Sequence, residues 1–138
     1  METRNPLSGP FTLSKAERLC SQKIIAGLFQ PGFFVSAFPI RIHWLWVNSE
    51  PVSGVPAQVL FSVGKRRFKK ASDRNRIRRQ LRELYRLEKP AFLAQIPPGK
   101  GMLALAVIYT GSEPLAYPRL KQAFDKAMAK CIQSLNHA

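Results

Sequence analysis

"VGKRRFKKASDRNRIRRQLRELYR", Val63 to Arg86, holds eleven of the chain's 22 Lys and Arg residues. A block of like charge repels itself and stays unfolded unless something organises it. Apolar spacing supplies the organisation: on a wheel turning about 100° per residue, Ile77, Leu81 and Leu84 cluster within about 60°, with Glu88 beside them. Asn75, Arg78, Arg79, Arg82 and Arg86 fall on the opposite side, and Arg76 at its edge. The pattern predicts a helix from about Arg74 to about Glu88, with Asp73 as its N-cap and Pro90 disfavouring its continuation. One face of this helix docks on a sheet, and the other carries a rack of guanidinium groups.

The flanking stretches supply that sheet. Upstream, "IRIHWLWV" places Ile40, Ile42, Trp44 and Trp46 on one strand face and Arg41, His43, Leu45 and Val47 on the other. "NSEPVSGVPA" is turn chemistry, and "QVLFSVG" reads as a further strand, expected to pair antiparallel with the first; Phe33 to Phe38 offers a third. Downstream, a loop containing "IPPGKG" leads into "MLALAVIYTG", apolar enough to lie at the centre of the sheet. The last segment starts a helix near Pro118 and repeats Leu120, Phe124, Ala127, Met128 and Cys131 at helical spacing. Near the N-terminus, Ser14 and Glu17 form a capping-box pattern, which predicts a helix carrying Ile25, Leu28 and Phe29 on one face and ended by Gly32 after Pro31.

The order is helix, strands, helix, strand, helix (αβββαβα), an α+β two-layer sandwich in a single domain spanning 1–138, with 1–10 and 134–138 expected to be loose. With 46% hydrophobic and 22% charged residues the chain is a folding one. A formal net charge of +14 calls for a polyanionic partner, most simply nucleic acid. Arg outnumbers Lys in the central helix, and its planar fork suits phosphate. Asn75, between Arg74 and Arg76, is placed at the helix start, where exposed backbone N–H groups add an anion-binding end.

No apolar run reaches the length of a membrane span, and the opening residues do not read as a secretory signal. Cys20 and Cys131 are far apart without a ligand cluster, so each reads as a small buried hydrophobe, and the expected location is cytoplasmic. The eight acids, Glu2, Glu17, Glu50, Asp73, Glu83, Glu88, Glu113 and Asp125, are scattered, which disfavours a metal-dependent nuclease working alone.

"KRRFKKASDRNRIRRQLRE" resembles the signature of the protein component of bacterial ribonuclease P. Arg74, Asn75 and Arg76 match its central triplet, Arg78 and Arg79 the following basic pair, with Arg78 where Lys is more usual, and Arg82 the final Arg. "ERLCSQKIIAGLFQPG" is similar to that family's opening helix, although Ile25 stands where an aromatic is usual. The resemblance implies a mixed sheet with a left-handed βαβ crossover. It also implies a catalytic RNA subunit, with Mg2+ held mainly by that RNA, and hydrolysis of precursor tRNA to the mature 5′ end. By matching position, Lys65, Arg66, Lys69, Lys70, Arg74, Asn75, Arg76, Arg78, Arg79 and Arg82 would grip ribonuclease P RNA. Ile25, Phe29, Arg41 and His43 would line a cleft for the single-stranded 5′ leader of precursor tRNA. On the residues alone, Phe29 suits core or cleft equally, Trp44 and Trp46 read as core anchors, and Lys15, Arg18 and Lys23 add a diffuse field. A structural, rRNA-binding protein of ribosomal type is the rival reading, and a protein-only nuclease a more distant one.

Overall fold

The strand Met102–Tyr109 is apolar along its whole length because both of its faces are covered. In the computed structural model, which describes residues 13–30, 33–47, 55–97 and 99–137, it lies between two other strands of a four-stranded sheet. The expected stop at Gly32, the turn through 48–54 and the loose leader 1–10 lie outside the described residues. In chain order the elements are a 3-10 turn (Lys15–Glu17), α1 (Gln22–Leu28), β1 (Phe34–Ala37), β2 (Ile40–Val47), β3 (Ala57–Val63), α2 (Ala71–Gln95), β4 (Met102–Tyr109) and α3 (Tyr117–His137).

The sheet order is β1-β2-β4-β3, with β2 antiparallel to both β1 and β4, and β3 parallel to β4. The expected antiparallel pairing of β2 with β3 is therefore wrong. Side-chain alternation identifies which faces are buried and carries no information on which strands are neighbours, and β4, the most apolar strand, takes the protected place between them. β3, α2 and β4 make a βαβ unit within a mixed sheet.

Ile40, Ile42, Trp44, Val59, Leu103, Leu105, Val107 and Tyr109 form one sheet face, packed against Ile77, Leu81, Leu84 and Tyr85 of α2 and Leu120, Phe124, Met128 and Cys131 of α3. The other face presents Leu45, Leu60, Ala104, Ala106 and Ile108, over which lies the short α1 with Leu28, Ile24 and Ile25. Ala104 and Ala106 let α1 approach closely. Gly27 completes this fit, since a Cβ there would stand 3.2 Å from Leu45 Cδ2. Trp44 is a core anchor as expected; Trp46 is only half-buried on the same face.

Four helix boundaries differ from the sequence pattern. The capping box of Ser14 and Glu17 is formed, but on a single 3-10 turn; Arg18 then goes extended and bridges Val59, and α1 starts anew from Ser21, whose hydroxyl accepts from the Ile24 N–H. The bare edge of β3 attracts the chain there: the Leu19 N–H donates to the Val59 carbonyl at 3.0 Å, and the Gln58 amide holds the Ala16 carbonyl at 2.9 Å. α2 begins at Ala71 with Lys70 as N-cap, leaving Asp73 inside the first turn, where its carboxylate still faces the positive end of the helix. α2 also runs through Pro90 to Gln95. A proline inside a helix costs about 3 kcal/mol, and the turn beyond it offsets this by burying Phe92 against Tyr85 and seating Leu93 on the core. Residues 134 to 137, expected to be loose, form the last turn of α3, with Leu135 fully buried.

Glu17 and Lys89 join these parts. Both side chains are largely buried, and their 2.7 Å ion pair ties the 3-10 turn to α2. Burial pushes the Glu17 carboxyl up, but hydrogen bonds from Lys89 and from the backbone and hydroxyl of Ser14 outweigh it and leave the pKa below its usual value.

Candidate nucleic-acid interface

The amphipathic wheel of α2 is realised with its apolar stripe on the sheet. Asn75, Arg76, Arg79 and Arg82 are exposed on the outer side, and Arg78 is half-buried. The approach to the helix is also basic: Lys65, Arg66, Arg67, Lys69 and Lys70 are exposed around Phe68, whose ring is buried against Tyr109. Phe68 pins the turn, so its cations are displayed from a fixed base.

The ten residues assigned to RNA are not equivalent. Arg74 turns back on its own chain, donating to the carbonyls of Phe68 at 2.6 Å and Lys69 at 3.0 Å, and thus clamps the basic turn to the helix. Asn75, expected at the free N–H end, lies in the second turn because α2 starts at Ala71, and its amide oxygen accepts from Arg78. Arg86 is paired with Glu83. Arg76, Arg79 and Arg82 form the outward rack, and Arg18, assigned only to a diffuse field, joins it. Arg18 lines a groove of about 190 Å³ along β3 together with Arg78, Arg82, Leu19, Val59 and Phe61. Only the strand-like detour after Glu17 brings it there, and a helical reading of that segment hid it.

Arg74→Ala is accordingly expected to weaken RNA binding by loosening the turn while leaving the salt dependence of binding nearly unchanged. A salt slope reduced by about one would instead put Arg74 on a phosphate.

A second constellation lies on the opposite sheet face, beyond the C-terminal end of α1. His43 and Arg41 project from β2 on the α1 side, and the register sets Phe34 of β1 opposite His43. Phe29 lies 5.1 Å from the His43 ring, Phe34 lies 5.3 Å from it and nearly parallel, and the Arg41 guanidinium sits 4.9 Å above the Phe34 ring. Phe29 and Phe34 are each about half exposed, at 47% and 50%. Phe29 thus belongs to the open cleft and not to the core, whereas Ile25 packs with the apolar cluster beneath α1. Phe34 was missed by sequence reasoning, because only the register of β1 against β2 sets it opposite His43.

His43 is held by its Nδ1, 3.2 Å from the Leu28 carbonyl. A carbonyl can only accept, so Nδ1 carries the hydrogen. Burial lowers the His43 pKa, the Leu28 bond opposes this, and the nearby Arg41 charge lowers it further. Burial and the Arg41 charge thus favour the neutral ring, which offers a flat face between two phenyl rings, a surface suited to stacking bases.

A family model for ribonuclease P matches residues 13–132. The chain belongs to the ribonuclease P protein family. The ribonuclease P protein component of Porphyromonas gingivalis W83 is 28% identical over 120 residues, covering 87% of this chain and 86% of that one. That of Chlorobium phaeobacteroides is 30% identical over 125 residues, covering 85% and 86%. Among solved structures, the ribonuclease P protein of Staphylococcus aureus superposes with a TM-score of 0.64 at 16% identity, covering 85% of this chain and 96% of that one. That of Thermotoga maritima gives 0.62 at 19%, covering 83% and 96%. These neighbours share the fold of three helices on a four-stranded mixed sheet.

The chain is thus a protein component of ribonuclease P, a tRNA-processing enzyme, and ribonuclease P RNA is its partner. Among the described residues no three His, Cys, Asp or Glu side chains gather as metal ligands. No described helix is long and apolar enough to cross a membrane. Cys131 is buried, and burial pushes its thiol up to about 12, so it is an inert part of the core; Cys20, expected to be buried, is exposed because the segment around it lies extended on the sheet edge.

Proposed function

We propose that this protein is the accessory subunit of an RNA-centred endonuclease that hydrolyses one phosphodiester bond of precursor tRNA, releasing the 5′ leader. The observation that carries this reading is the separation of two RNA-suited surfaces on opposite faces of one sheet. The outer face of α2 and the turn of Lys65, Arg66, Lys69 and Lys70 grip ribonuclease P RNA through phosphates. Arg76, Arg79 and Arg82 supply planar, permanently charged forks for that purpose. The cleft of Phe29, Phe34, Arg41 and His43 holds the leader, its rings stacking on bases and Arg41 meeting the phosphates.

In this arrangement the protein lowers phosphate repulsion between two RNAs and lengthens their contact. Mg2+ belongs mainly to the RNA subunit, where it supplies electrophilic and nucleophile-activating chemistry. The work takes place in the cytoplasm, a setting in keeping with two unpaired cysteines.

The test is cleavage of a 5′-extended precursor tRNA at low magnesium by RNA subunit alone, protein alone and both together. Efficient cutting at the mature 5′ end by the mixture only is the expected result. Cutting by the protein alone would move the catalytic centre into the chain, and no effect of the protein would remove the accessory role.

A further inference from the structure

Phe38 is the most exposed large apolar side chain among the described residues, at 78%. It stands with Pro39 in the two-residue turn between β1 and β2, and one such side chain would be unremarked on any surface. Its surroundings distinguish it. Phe38 forms one wall of a groove of about 280 Å³ whose other wall is the first half of α3, with Arg119, Gln122, Ala123 and Lys126. Arg119 and Lys126 are two helical turns apart on the same side of α3, exposed, and without an ion-pair partner among the described residues. Lys130, one turn further, donates to the Ser36 carbonyl and fixes α3 against β1. A flat ring, two cations and an amide thus face a hollow large enough to admit a base, on a part of the molecule remote from α2's arginines in sequence.

The groove lies on the α3 face of the sheet, round the edge of β1 from the cleft. Phe34 opens β1 and Phe38 directly follows its last residue, Ala37, about 13 Å further along an extended chain at ~3.3 Å per residue. Between them lies Ser36, set opposite Arg41 in the register. The outer edge of β1 is unpaired among the described residues. An extended polyanion that leaves Phe34 along this edge meets Phe38 next, and then Arg119 and Lys126.

We propose that this groove is a second nucleotide site for the single-stranded leader, taking one base against Phe38 and the adjoining phosphate between Arg119 and Lys126. The inference rests on the reading of the Phe29, Phe34, Arg41 and His43 cleft as the leader channel, and extends that channel round the end of β1. Gln122 supplies a donor and an acceptor to the base edge without demanding one base, so the site is tolerant of sequence.

The experiment measures the affinity of reconstituted holoenzyme for precursor tRNAs whose leaders are shortened one nucleotide at a time. For the unaltered protein, affinity rises in two stages as the leader grows, first through the cleft and then through the groove. In Phe38→Ala/Arg119→Ala/Lys126→Ala the second stage disappears, a loss of about tenfold for long leaders, in line with the contribution of one stacked base, while the first stage and the affinity for ribonuclease P RNA are retained. Phe38→Tyr, which keeps the ring, retains both stages. A second stage that survives the triple substitution overturns the proposal. So does an equal loss at every leader length or in ribonuclease P RNA binding, which would assign the groove to the RNA subunit. An affinity that does not depend on leader length even in the unaltered protein overturns the leader reading itself, and this proposal with it.

Discussion

Glu17→Ala is expected to destabilise the protein by about 3–5 kcal/mol, because it removes one half of a buried ion pair and leaves the Lys89 ammonium desolvated without its carboxylate. The loss falls on a joint: Glu17 also accepts from the Ser14 backbone N–H and hydroxyl, so the 3-10 turn would release the strand-like segment that covers the edge of β3. Urea denaturation at neutral pH measures this directly. Replacing both partners, as in Glu17→Leu/Lys89→Met, should recover much of the loss, since two apolar groups leave no uncompensated charge. The pH dependence follows from the lowered Glu17 pKa. Its contribution is fully present above the usual carboxylate value of 4.5 and is lost as pH falls through the lower folded value. A single substitution costing under about 1 kcal/mol, the range of exposed pairs, would sink this account of the joint.

Arg76→Ala/Arg79→Ala/Arg82→Ala is expected to reduce affinity for ribonuclease P RNA by about a hundredfold or more, from ~1 kcal/mol or more for each charge-assisted hydrogen bond to phosphate that is removed. All three side chains are exposed, so urea stability should change little. The decisive reading is the dependence of affinity on salt: the slope of log K against log salt should become shallower by about two to three units, near one for each phosphate no longer neutralised. An unaltered slope would take the rack off the RNA. With Arg74→Ala as a comparison, this separates cations that meet phosphate from one that holds its own loop.

The site was legible where chemistry followed periodicity. Ile77, Leu81 and Leu84 fix which side of α2 turns inward, so Arg76, Arg79 and Arg82 must turn outward whatever the sheet looks like. Arg41 and His43 share a strand face for the same reason. Phe34 and Arg18 were not legible, because one reaches His43 across a strand pair and the other reaches α2's arginines only after the chain leaves the 3-10 turn.

By itself, then, the sequence determined the elements, their inward faces, the cationic face of α2 and the central place of "MLALAVIY", since each depends on local periodicity and on burial of apolar surface. Tertiary structure alone decided that β4 separates β2 from β3, that α2 continues through Pro90, and that Glu17 commits its charge to Lys89. Those outcomes rest on contacts between residues distant in the chain. The energies of Phe92 in the core and of an ion pair spanning 72 positions exceed the local preferences of a proline or of a helix cap.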